Sequence, residues 1–200
     1  MLTHLIQSFG YLAVFVLMTL ESALLPIPSE VTMPFAGYLA SRGALNLWAV
    51  IVLGAIGNLI GSLAAYYFGY LIEEHLLVEW IRRYGKYLLI RESDYHRGAS
   101  WFSRYGTAAV FFSRLLPAVR TYISLPAGMF EMNLWRFSAY TLIGSLLWSG
   151  FLAWVGYTLG THWGDIGNVL RPLEYIVVAS IVLFIGYGVY RITRRYNRSL

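Results

Sequence analysis

Apolar residues run along this chain in blocks, rather than as the single stripe of a surface helix or the alternation of a half-buried strand. Two blocks, 47–72 and 137–160, carry no charge and exceed the roughly 20 residues that a spanning helix needs. A third, 175–190, is shorter and spans with help from its flanks. Two further apolar blocks, 9–41 and 106–132, are cut by Pro26, Pro28 and Pro34 and by Pro117 and Pro126. Proline breaks a helix because it lacks a donor and crowds the preceding turn. A helix over 29–40 rises about 18 Å and one over 121–130 about 15 Å, half of a hydrocarbon core roughly 30 Å thick. Half a crossing must turn back. The pattern therefore predicts two re-entrant helical hairpins whose tips, at Pro26 and Pro28 and at Pro117, lie buried in protein where freed backbone groups find partners, with a kinked full span as the alternative. Ser29 and Thr121 are placed to cap the helices that follow.

An internal repeat organises these blocks. Shifting 24–37 by 91 positions lays Leu24-Leu25-Pro26 on Leu115-Leu116-Pro117 and Ala36-Gly37 on Ala127-Gly128. At an offset of 87, Asn46-Leu47-Trp48 falls on Asn133-Leu134-Trp135, Gly57 on Gly144, and Gly69-Tyr70 on Gly156-Tyr157. A hairpin makes no net crossing and a spanning helix makes one, so successive repeats enter from opposite faces. The predicted fold class is an all-α polytopic membrane protein of inverted repeats, each with a re-entrant helical hairpin and a spanning helix, plus a C-terminal spanning helix. It forms one membrane domain: a first repeat over 9–72, a cytoplasmic amphipathic segment over 73–104, a second inverted repeat over 105–160, and the last helix over 172–190.

Composition agrees, with 58% hydrophobic and only 12% charged residues, where a soluble domain carries about 25% charged. Ten of the fifteen basic residues fall in 73–104 and the tail after Tyr190. The positive-inside bias places both in the cytoplasm, with Gly43 and the 161–172 turn outside. Positive charge gathered in two clusters suits anionic lipid headgroups, and no nucleic acid partner is expected. The first 20 residues carry no charge, no basic leader and no small-residue cleavage site, so they are expected to be retained structure. The chain has no cysteine, which excludes disulfide and thiolate chemistry. Its four histidines are dispersed, so no metal site and no cofactor is expected.

The candidate chemistry lies in the two broken blocks. Glu21 and Glu30 flank the prolines of the first, and Arg114 and Arg120 flank Pro117 in the second. Ionised acids at membrane depth need a positive partner, water or a proton, so these two are candidates for a proton relay. A guanidinium cannot solve its burial by losing a proton, and its planar fork matches a phosphate. Backbone amides from Thr121 onward were expected to add donors at the start of the following half-helix. Arg114, Arg120 and Thr121 are thus the candidate phosphate-binding residues. The competing use of the arginines is to pair with Glu21 and Glu30 and lock the hairpins together. Since Pro26 corresponds to Pro117, the tips should meet near a twofold axis at the bilayer centre, as at the midplane site of an alternating-access carrier. Gly54, Gly57 and Gly61 form a small-residue packing face.

Over residues 9–190 the chain resembles the DedA family, also called the SNARE-associated or VTT-domain family. Glu21, Pro26, Pro28 and Glu30 match its acidic-proline signature. Phe112, Ser113, Arg114, Pro117 and Arg120 match its F-S-R-x-x-P-x-x-R signature, with Ala127-Gly128 following. The chain departs at Tyr70, where many relatives carry a basic residue. The resemblance implies an inner-membrane carrier of inverted repeats that returns undecaprenyl phosphate or phospholipids across the bilayer, often with dependence on proton motive force. It implicates the same arginines and acids. The expected activity is therefore proton-coupled translocation of an anionic lipid, without bond breaking, with membrane lipids as partners and a homo-oligomer left open. A phospholipid flippase or scramblase, a scaffold and a lipid phosphatase are the alternatives.

Overall fold

The computed structural model describes residues 2–25, 27–72, 92–116 and 119–160. The expected C-terminal helix and tail, much of the polar segment, Pro26 and Pro117 lie outside the described residues. Within them the chain is all-α: α1 Leu2–Phe9, α2 Tyr11–Ser22, α3 Ser29–Ser41, α4 Leu47–Tyr70, α5 Glu92–Ser113, α6 Val119–Tyr122, α7 Ser124–Met129 and α8 Leu134–Thr158.

Helix ends follow local chemistry, and they recur in the two repeats. The chain leaves the helix after Ser22 and again after Ser113, on the approach to each proline cluster. At the end of α2 the Leu24 amide donates to the Glu21 carbonyl (3.2 Å) and the Leu25 amide to the Leu20 carbonyl (3.1 Å). This is a Schellman closure with Leu24 at φ 74. The same closure ends α3, with Gly43 at φ 74, and α7, with Glu131 at φ 49. A side chain at positive φ costs about 1–3 kcal/mol, so Leu24 and Glu131 are held there by surrounding contacts. Asn46 caps α4 by accepting from the Ala49 amide (3.1 Å), and Asn133 caps α8 by accepting from the Arg136 amide (3.2 Å). The two caps are 87 positions apart, as the sequence offset requires.

Three expectations need correction. Ser29 does not cap α3: Pro28 is the N-cap, in extended conformation and without a side-chain bond, and Ser29 is the first helical residue. Thr121 does not cap either, because it lies inside α6. The expected single half-helix over 121–130 is two short helices, α6 and α7, joined at Ile123. The helix α5 runs unbroken from Glu92 to Ser113.

The long helices α4 (24 residues, mean hydropathy 2.0) and α8 (25 residues, mean hydropathy 1.3) are long and apolar enough to span. Their polarity is arranged inside out. On α4, Asn58 and Ser62 are buried while Val52, Ile56 and Ile60 are exposed; on α8, Thr141, Ser145 and Ser149 are buried while Ile143, Leu147 and Phe151 are exposed. Lipid gives apolar helices no reason to associate, so packing rests on close backbone approach. Gly57 and Gly61 seat α4 on α2, against the carbonyls of Phe15 and Thr19. The shorter helices pack on the long ones, α3 on α8 and α7 on α4. Gly37 of α3 and Gly156 of α8 abut the carbonyls of Ala153 and Pro34, and Gly128 of α7 and Gly69 of α4 abut those of Tyr66 and Leu125. None of the four leaves room for a methyl group. The two seams interconvert under the sequence offsets of 91 and 87.

Candidate functional site

Where the broken tips meet the long helices, charged and hydroxyl side chains fill the interior. Glu21 of α2, Ser29 of α3, Asn58 and Ser62 of α4, Arg114 just after α5, Arg120 of α6, Ser124 of α7 and Ser149 of α8 are all buried. Arg120, 5% exposed, donates from Nη2 to Glu21 Oε1, in an ion pair, and to Ser29 Oγ. The Ser29 amide also reaches Glu21 Oε1 at 3.4 Å. Ser29 and Arg120 are 91 positions apart, so residues equivalent under the repeat touch each other.

Arg114, 2% exposed, is held differently. It donates from Nη1 to Ser62 Oγ (2.8 Å) and from Nη2 to Ser124 Oγ (3.0 Å), and among the described residues no carboxylate pairs with it. Each guanidinium also lies over a ring of α8, Arg114 on Phe137 and Arg120 on Trp148, both 5.5 Å from the centroid. Such contacts favour a cation but do not neutralise it. Phe137 and Trp148 are three helical turns apart, about 16 Å along the axis. Several buried polar atoms have no partner among the described residues: Glu21 Oε2, Asn58 Nδ2, Arg114 Nε, Thr141 Oγ1, Trp148 Nε1 and Ser149 Oγ. All but the glutamate oxygen can donate, so the unmet capacity is that of a site for acceptor oxygens.

The structure thus brings Glu21, Arg114 and Arg120 into one polar interior. Thr121 is half-buried in α6, and Glu30 half-buried in the first turn of α3, where among the described residues it makes no ion pair. Pro28 is the N-cap of α3; Pro26 and Pro117 are outside the described residues. Among the described residues no cluster of His, Asp and Glu could hold a metal ion.

Residues 27–158, which contain both half-helices and both long helices, match the family described as the VTT domain. The chain belongs to that family. It is 34% identical over 197 residues to undecaprenyl phosphate transporter A of Staphylococcus aureus (strain NCTC 8325 / PS 47), covering 98% of this chain and 97% of that protein. It is 32% identical over 162 residues to undecaprenyl phosphate transporter A of Bacillus subtilis (strain 168), covering 79% and 80%. Protein DedA of Escherichia coli (strain K12) is 29% identical over 201 residues, covering 96% and 88%. No solved structure matches. Membership and the two long apolar helices make the chain a multi-pass membrane protein of the bacterial inner membrane.

The VTT-domain motifs contain the charged residues of the interior but not most of the hydroxyls that hold them. Ser62, Ser124, Thr141 and Ser149 escaped the sequence reading, and Ser29 entered it only as a cap. A signal was present: Asn58 and Ser62, and Thr141, Ser145 and Ser149, recur every four residues inside apolar blocks, which marks one helix face. Asn58 accepts from Ser22 Oγ at 2.7 Å. Trp148 is the platform under Arg120, whereas Trp154 faces outward.

Proposed function

We propose that the protein moves the phosphate headgroup of an anionic lipid, undecaprenyl phosphate first among them, through the interior between its half-helices. The observation that carries this reading is a buried guanidinium, Arg114, with neutral partners only, beside a second one, Arg120, whose carboxylate partner is removable. A chain under pressure for stability alone gains little from two buried arginines, since apolar replacements are often neutral or better. A phosphate supplies the countercharge and the acceptor oxygens that the unmet donors require. The hairpins re-enter the membrane, the repeats are inverted about an axis at the Ser29–Arg120 contact, and the polar segment and C-terminus face the cytoplasm. Entry of the headgroup draws Arg120 away from Glu21. The carboxylate then left unpaired costs about 3–5 kcal/mol if it stays charged, so it takes a proton, and Glu30 at the start of α3 relays it.

Similarity to the two undecaprenyl phosphate transporters supports the choice of substrate. The test is transbilayer movement in sealed proteoliposomes. Wild-type protein moves undecaprenyl phosphate, and Arg120→Ala lowers the rate by at least about tenfold, the equivalent of roughly 1.4 kcal/mol. Unchanged movement in that variant defeats the site assignment, and equal movement of phosphatidylethanolamine moves the substrate to phospholipids. An imposed pH gradient changes the wild-type rate but not that of Glu21→Gln; equal responses remove Glu21 from the coupling.

A further inference from the structure

The two arginines are held by opposite means, and the difference assigns a role to residues outside the charged set. Arg114 is fixed at both ends. Its Cβ and Cγ pack against Gly144 of α8, where an added methyl group would clash. Its terminal nitrogens are bound by Ser62 on α4 and Ser124 on α7, while Nε is buried and unpartnered among the described residues. A serine oxygen fixes a guanidinium in direction but brings no net charge, whereas a carboxylate at the same place would fix it and neutralise it. Arg120 has the second arrangement, through Glu21.

We propose that Ser62 and Ser124 are positioning residues for headgroup binding: neutral holders that aim Arg114 while reserving its charge for the incoming phosphate. This rests on the carrier reading above and deepens it. Neutrality of the holder is the functional property, so the two serines tolerate uncharged acceptors and reject acidic ones. A purely structural role predicts the reverse, because an aspartate at either position offers the buried cation a better partner.

The experiment is calorimetric titration of farnesyl phosphate into purified full-length protein in detergent, with thermal unfolding recorded for every variant. Ser62→Asn stays within about threefold of wild-type affinity, and Ser62→Ala weakens binding about three- to tenfold. Ser62→Asp and Ser124→Asp weaken it at least about a hundredfold while melting no lower than wild type. Should the aspartate variants fail to fold, the order of Asn above Ala decides alone. Wild-type affinity in Ser62→Ala, or in a folded aspartate variant, overturns the proposal, as does affinity that merely follows thermal stability. Arg114→Gln separates the two levels. If wild-type protein does not bind, or Arg114→Gln binds as wild type does, the carrier reading itself fails. If Arg114→Gln loses binding while the serine variants keep it, only the positioning role fails.

Discussion

A buried cation tells most about a membrane protein through what it is paired with. Glu21 and Arg120 satisfy one another between α2 and α6, whereas Arg114 and Glu30 form no ion pair among the described residues. Removing one member leaves the other uncompensated, so Glu21→Leu lowers stability by about 3–5 kcal/mol. Replacing both restores much of that loss, because a matched apolar pair leaves no orphan charge. Thermal unfolding of Glu21→Leu and of Glu21→Leu combined with Arg120→Leu measures this, and the double variant is expected to be stable yet inactive in transport. The four charged candidates were legible because a charge stands out in an apolar block. Which acid meets which arginine was not, since the choice depends on how α2 and α6 approach in space. The serines were harder still: a hydroxyl is ordinary in a membrane helix, and only its recurrence every fourth residue distinguishes a buried polar face.

At the scale of elements, the sequence offset relates local features of the two halves. Asn46 and Asn133 cap equivalent helices, and the glycine seams of α3 on α8 and of α4 on α7 are equivalent. The packing of α3 on α8 and of α7 on α4 was not legible, because an offset says which residues correspond and not which ones touch. Helix boundaries suffered for the same reason. The break between α6 and α7 falls at Ile123, and α5 continues through Arg104. Gly128→Ala, which forces a methyl group against the Tyr66 carbonyl, is expected to cost about 1–3 kcal/mol. Ala44→Ser, on an exposed turn, is expected to change stability by less than about 0.5 kcal/mol. Paired thermal melts check both, and a harmless Gly128→Ala contradicts the seam.

At the scale of the whole molecule, the two long helices among the described residues invert the usual arrangement of a soluble protein, with isoleucine, leucine and phenylalanine outward and hydroxyl and amide side chains within. Such an outer face matches lipid tails. Orientation is open to direct measurement because the chain has no cysteine of its own. Single cysteines at Ala44 and Arg104, both exposed, are expected to react with a membrane-impermeant thiol reagent from opposite sides of the cell membrane, Ala44→Cys from outside. Labelling of both from one side contradicts the inverted arrangement. The most direct measurement of the central claim is an experimental structure of the protein with undecaprenyl phosphate bound. The account predicts phosphate oxygens within about 3 Å of Arg114 Nε, with Arg120 drawn from Glu21 toward the ligand. A phosphate bound elsewhere, with the Glu21–Arg120 pair intact and Arg114 still held only by Ser62 and Ser124, contradicts it.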